Sequence, residues 1–244
     1  MYKRQVADLG FVLARTDPAA GHRGMSIFIV DLHAAGVSRG KKEHKMGQRA
    51  SQVGALHFDA VALAGDALLG PLNRGFHIMM SVLDKGRIGI GALAVGIAQA
   101  GLEAALDYAR TRRQFGRAIS ENQGLQWMLA DMSIALDASR ALVWRAARSS
   151  GKAGFPDRFL AAQAKVMAAD TAIRVTNDAL QLWGAAGYSR DNPMERHVRD
   201  ARMFAIAGGT AQVLRTQVAA KLLGRRLPQT RDGYLAEAAA RAAE

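Results

Sequence analysis

The sequence contains no cysteine, only 5 prolines among 244 residues, and 6% aromatic residues. Without cysteine there is no disulfide framework, no thiol nucleophile and no thiolate-ligated zinc. The scarcity of proline, in a chain that is 50% hydrophobic, excludes a disordered or collagen-like polymer and supplies apolar material for one or two domains. Long hydrophobic runs are missing as well. The most apolar stretch, Ile88 to Leu102, has 15 residues and contains Gln99, short of the ~18–20 that span a bilayer. The expectation is therefore a soluble, cytoplasmic protein with no membrane partner. Acidic residues are under-represented, with 21 Asp+Glu against 33 Lys+Arg and a net charge of +12. That excess calls for an anionic partner, either nucleic acid or a phosphate-bearing small molecule.

Common catalytic and binding signatures are also lacking. Gly89-Ile90-Gly91 lies in a helical pattern with no strand before it, which argues against a dinucleotide-binding turn. No G-x-S-x-G nucleophile elbow occurs. The six histidines are scattered, without the H-x-x-x-H spacing or an adjacent carboxylate pair, so no metal is expected. Basic clusters at Arg110, Arg112, Arg113 and Arg117, and at Arg196, Arg199 and Arg202, are not interleaved with aromatic residues. Without stacking platforms, nucleic acid is the less favoured partner.

The first third of the chain reads as strands. Leu9 to Ala14 and Met25 to Val30 are short apolar runs separated by the turn-prone Thr16-Asp17-Pro18-Ala19-Ala20-Gly21, which predicts an antiparallel hairpin. Gly54 to Phe58 and Val61 to Leu69 are further strand candidates. They follow Arg39 to Ser51, read as a polar loop in which Gly40 to Lys45 is a solvated turn. Residues 1–5 have neither signal-peptide nor helix-start character. One back-translation, GTG-TAT-AAG-AGA-CAG, resembles a sequencing-library adapter, so these residues are read as a scar on a gene fragment.

From Asn73 the period becomes helical. Four helices are expected, over Phe76–Arg112, Asn122–Ser150, from Pro156 through Leu182, and Ala211–Leu223, stopped in turn by Gly184 and Gly224. Gly86, Gly89, Gly91, Gly96 and Gly101 in the first of them imply close packing, since each costs up to ~1 kcal/mol against alanine. The expected class is α+β: a partial antiparallel β-domain over 1–72, then an up-and-down helical bundle over 73–228, with an alanine-rich tail over 229–244.

Several short motifs fall in a definite order. These are Lys45-Met46-Gly47-Gln48-Arg49-Ala50-Ser51, Leu83-Asp84-Lys85-Gly86-Arg87, Arg112-Arg113-Gln114-Phe115-Gly116-Arg117 followed by Gln123, Gln181 to Tyr188, and Arg199-Asp200-Ala201-Arg202 leading to Gly208-Gly209-Thr210. Together they resemble the acyl-CoA dehydrogenase family over Val6 to Gly224, without that family's N-terminal helical domain and the first half of its middle domain. The resemblance implies FAD as cofactor, bound by Arg112, Phe115, Gln123, Gln181, Gly184, Thr210 and Gln212. It implies acyl-CoA as substrate, contacted by Asp84 and Arg87. It also implies an electron-transfer flavoprotein as acceptor, and assembly into a dimer or tetramer. A guanidinium suits a pyrophosphate and an apolar ring suits a flat aromatic ligand. Ala185 departs from the family's usual glycine.

The α-proton of a thioester is removed by a glutamate in family dehydrogenases, either just before the Gly-Thr pair or just before the arginine of D-x-x-R. Here those positions are Gly208 and Gly86. The implied function is flavin-dependent α,β-oxidation of an acyl-CoA with its base supplied from elsewhere. The alternatives are other chemistry within the family, such as a desulfinase or monooxygenase, and a base-less oligomerisation partner.

Overall fold

The computed structural model describes residues 7–151, 154–225 and 227. The adapter-like residues 1–5 and the tail over 229–244 lie outside the described residues. The chain divides into two compact units, Met1–Leu83 and Asp84–Glu244.

In the first unit the predicted hairpin forms. Strands β1 (Leu9–Arg15) and β2 (Met25–Asp31) pair antiparallel in an unbroken register from Leu9↔Asp31 to Arg15↔Met25. Ser26 and Val30 lie on one face of β2 and Ile27 on the other, and all three are buried. Burial of Ser26 is tolerated because its hydroxyl meets Thr16 Oγ1 at 2.9 Å and accepts the Asn73 N–H at 2.8 Å.

Two expectations are corrected here. Strand β3 (Val37–Lys42) pairs antiparallel with β4 (Gly54–Phe58), so Arg39 to Lys42 are strand and not the start of a polar loop. Its sequence, Val-Ser-Arg-Gly-Lys-Lys, has little intrinsic strand preference, and pairing with β4 imposes the conformation. Of the Val61–Leu69 candidate only β5 (Leu68–Leu69) is strand, completing the sheet in the order β1-β2-β5.

Helix α1 (Gly75–Thr111) starts in the first unit and continues as the long helix of the second. It is long and apolar enough to cross a membrane by length and composition, which the 15-residue run alone did not suggest. A third of its most apolar window is buried, and Ala94, Ala98, Leu102, Ala105 and Ala109 form a core stripe along the helix. A short hairpin, β6 (Arg113–Gln114) and β7 (Arg117–Ala118), links α1 to α2 (Gln123–Arg148).

Helix α3 (Arg158–Trp183) is the hub of the second unit and packs on α2, on α5 (Met194–Ala201) and on α6 (Ala211–Leu222). Asp157 caps its first turn by accepting the Leu160 N–H, and Gly184, at φ 57°, ends it before the single turn α4 (Ala185–Tyr188). Its buried face is mostly alanine from Ala161 to Ala179, interrupted by Lys165, Thr171, Val175 and Thr176, so neighbouring helices approach closely. Ser139 of α2 donates to Thr171 of α3 at 2.8 Å, pairing two buried hydroxyls.

The glycines of α1 do not share one role. A Cβ at Gly91 would stand 3.0 Å from Val143 Cγ2, and one at Gly101 would make ordinary contact with Thr176. Gly86, Gly89 and Gly96 face open space within 4 Å, so close packing explains only Gly91 of the five.

Candidate active site

Asp84 and Arg87 are one helical turn apart on α1, and both are buried, at 5% and 4% exposure. Arg87 Nη1 pairs with Asp84 Oδ1, while the other oxygen of Asp84 accepts Arg158 Nε of α3 at 2.9 Å. One carboxylate thus serves two guanidiniums. Burial pulls Arg87 below the ordinary arginine range, with Asp84 opposing that shift and Arg158 adding to it.

Arg87 Nε reaches across to the carbonyl of Gly208 at 3.0 Å. The next carbonyl, Gly209 O, accepts Lys165 Nζ of α3 at 2.8 Å. Lys165 is fully buried, and burial first, then Arg87, lower it from 10.5 to about 8 against an opposing pull from Asp170. Gly208 and Gly209 both lie in the left-handed region, at φ 70° and 96°, where a side chain is strained. A Cβ at Gly208 would also stand 2.5 Å from Ile90 Cδ1. Thr210 then caps α6, its hydroxyl accepting the Val213 N–H at 3.3 Å and keeping its own proton free to donate.

A second group of expected residues gathers at the other end of the bundle. At 1.5 Å per residue, Arg87 and Thr111 are about 36 Å apart along α1, and Lys165 and Gln181 about 24 Å apart along α3. Arg112 follows α1 and is exposed. Phe115 sits at the tip of the β6–β7 hairpin, 96% exposed at φ 52°. Gln123 opens α2, and Gln181 and Gly184 close α3. Tyr108 stacks on Trp183 with ring centroids 4.5 Å apart, and Trp183 Nε1 donates to Ala104 O at 3.1 Å. That contact ties the end of α3 bearing Gln181 to the end of α1 bearing Arg112, whose N–H donates to Tyr108 O.

The structure therefore joins Asp84, Arg87 and Gly208 in one network. It collects Arg112, Phe115, Gln181 and Gly184 at the opposite end, and sets Thr210 and Gln212 at the start of α6 beside the first group. The donors at the hairpin end, an exposed guanidinium, a nearly bare apolar ring, amide side chains and open space at Gly184, suit one part of a dinucleotide cofactor, and the helix N-terminus behind Thr210, at the other end, suits an anionic part of one. Sequence reasoning missed Lys165, Arg158 and the Tyr108–Trp183 pair. Lys165 had a readable signal, since it occupies the alanine stripe Ala161, Lys165, Ala168, Ala172, where a charge has no solvent to face.

Comparison with known proteins gives the chain's family. The family described as "Acyl-CoA dehydrogenase, C-terminal domain" matches residues 73–223, and "Acyl-CoA dehydrogenase, middle domain" matches residues 4–61. The chain is 50% identical over 236 residues to a 3-sulfinopropanoyl-CoA desulfinase of Advenella mimigardefordensis, covering 94% of this chain and 58% of the relative. It is 42% identical over 217 residues to a short-chain specific acyl-CoA dehydrogenase of Clostridium acetobutylicum, covering 89% and 57%. The solved structure of butyryl-CoA dehydrogenase from Megasphaera elsdenii superposes with a TM-score of 0.88 at 40% identity, covering 91% and 58%. The chain thus spans a little over half the length of the relatives it matches. The buried D-x-x-R pair beside the Gly-Gly-Thr turn, the exposed R-x-x-F-G hairpin and these matches together make the chain a member of the acyl-CoA dehydrogenase family.

Proposed function

We propose that the chain is the middle and C-terminal portion of an FAD-dependent acyl-CoA enzyme that acts at C3 of the acyl group without removing an α-proton, with a C3-sulfinate thioester as its substrate. The observation that carries this reading is the environment of Gly208. Where family dehydrogenases hold a carboxylate there is a glycine, and its peptide lies between Arg87 and Lys165. The nearby carboxylate, Asp84, is committed to Arg87 and Arg158 and is unsuited to act as a base. Such a site attracts an anionic acyl substituent and lacks the group that dehydrogenation needs.

Removal of sulfinate from C3 balances without net oxidation. Water and the R–CH2–SO2⁻ group give R–CH3 and hydrogen sulfite, as the C–S bond breaks, a C–H bond forms, and sulfur gains an oxygen. Carbon is reduced as sulfur is oxidised, so no external electron acceptor is required. FAD, when bound, would supply redox chemistry to this site. The chain's own residues bind and orient: Arg87 and Lys165 hold the Gly208–Gly209 turn, and Arg112, Phe115, Gln181 and Gly184 would hold the dinucleotide. Because these two groups lie at opposite ends of one bundle, the reading includes a dimer or tetramer in which each copy grips the dinucleotide seated at its neighbour's acyl site. The alternative, α,β-dehydrogenation with electrons passing to an electron-transfer flavoprotein, requires a carboxylate from outside the described residues.

The test is a fusion of this chain behind the part of the Advenella mimigardefordensis desulfinase that it does not span. The fusion is loaded with FAD and given 3-sulfinopropanoyl-CoA or butanoyl-CoA. The reading expects sulfite release from the first and no flavin bleaching with the second. Flavin bleaching by butanoyl-CoA supports the dehydrogenase, and binding of both without turnover supports the oligomerisation partner.

A further inference from the structure

We propose that Lys165 is the positioning residue of the acyl site: its ammonium holds the Gly209 carbonyl as Arg87 holds that of Gly208, and the two cations together aim the next amides, Gly209 N–H and Thr210 N–H, toward an anionic oxygen of the bound ligand. The geometry follows from peptide planarity. In a trans peptide the C=O and the following N–H point to opposite sides. With Gly208 O turned to Arg87 and Gly209 O turned to Lys165, the Gly209 amide points away from Arg87 and the Thr210 amide away from Lys165. Two successive left-handed glycines have little conformational preference of their own, so their orientation depends on what holds the carbonyls. Lys165 is at 0% exposure, and Gly209 O is its one hydrogen-bond acceptor among the described residues. A fully buried ammonium is costly, and this one is spent on a backbone carbonyl of the site turn rather than on a carboxylate.

The charged groups around it are few. Arg87, itself paired with Asp84, acts on it from α1, and Arg158 and Asp170 share its own helix. On α6, Arg215 pairs with Asp170 and so draws that carboxylate's charge away from Lys165. With its proton held only to about pH 8, Lys165 loosens its grip on Gly209 within the mildly alkaline range. Ligand affinity then falls as pH rises through that value. This inference does not depend on which reaction occurs at C3.

Gly209-Thr210 is the only Gly-Thr step in the sequence. Protein labelled with [1-13C]glycine and [15N]threonine therefore gives a single carbonyl-to-amide correlation, reporting the peptide that Lys165 holds. The expected result is a peak that titrates with a midpoint near the Lys165 value and stays fixed in Lys165→Met. Affinity for propanoyl-CoA, measured by calorimetry at pH 7 on the same full chain, falls about tenfold in Lys165→Met and is restored in large part by Lys165→Arg, which keeps a charged donor. Lys165→Gln replaces the methionine variant should that one fail to fold, and the wild-type titration needs no variant. A peak that does not move between pH 6 and 10, a titration that survives removal of the lysine, or unchanged affinity in the lysine-free variants overturns the proposal.

Discussion

Replacing Gly208 with glutamate puts a carboxylate back where family dehydrogenases carry one, and the structure sets the cost. Residue 208 has φ 70°, a region that costs a residue with a side chain about 1–2 kcal/mol. Its new Cβ would lie 2.5 Å from Ile90 Cδ1, the far end of a flexible side chain. Moving that methyl off its rotamer costs about 0.5–1.5 kcal/mol. The sum, about 1.5–3.5 kcal/mol, lowers the melting temperature by roughly 3–14 °C for a chain of this size. Attraction between the new carboxylate and Arg87 works in the opposite direction, so a double-mutant cycle is the sharper assay. Ile90→Val deletes Cδ1. Alone it costs about 0.5–1.5 kcal/mol, and beside Gly208→Glu it costs nothing or is stabilising, because the crowding atom is gone. Thermal and urea melts of the four proteins give the coupling. If Ile90→Val costs the same in both backgrounds, or Gly208→Glu melts with the wild type, the left-handed turn packed on Ile90 is wrong.

Three more outcomes follow from the same geometry. Asp84→Asn leaves buried Arg87 without its counter-charge and destabilises the fold by about 3 kcal/mol, read as a shifted urea midpoint with unchanged slope. Gly89→Ala and Gly96→Ala, which place a methyl in open space on α1, each stabilise by up to about 1 kcal/mol, whereas Gly91→Ala crowds Val143 and gains nothing. For Lys165, the native value of about 8 lies below the ordinary 10.5, so between those pH values the unfolded chain holds a proton that the native protein has released. Stability attributable to this group therefore rises by up to about 3 kcal/mol from pH 8 to 10.5, and the difference between wild type and Lys165→Met in urea melts across that window reports it.

What the sequence could reveal followed from how locally each feature is determined. Strands β1 and β2 and helices α1, α2, α3 and α6 were legible because apolar period, caps and stop residues agree within each segment. Strand β3 was not, since Arg39 to Lys42 are polar residues made extended by partners 12 to 17 positions away in sequence. Helix α5 was unassigned because Met-Glu-Arg-His-Val-Arg-Asp-Ala is short and polar, and packing on α3 sustains it. The α1 glycines show the same limit. Their cost to the helix is a property of the residue, but whether a neighbour fills the space is decided by tertiary packing, at Gly91 and not at Gly86, Gly89 or Gly96.

In the site, Asp84 and Arg87 were visible as a spaced pair, and the glycines at 86 and 208 as missing carboxylates. The carbonyl-holding roles of Arg87 and Lys165 were not, because main-chain acceptors leave no trace in side-chain identity.

Deuterium exchange reads the absence of a base at the acyl site most directly. The FAD-loaded fusion protein is incubated with butanoyl-CoA in D2O, and the thioester is recovered for mass spectrometry. An acyl site with glycine at 86 and 208 leaves C2 undeuterated beyond the protein-free control. Deuterium at C2, or formation of 2-butenoyl-CoA, would show that a base reaches the α-carbon and would contradict the account.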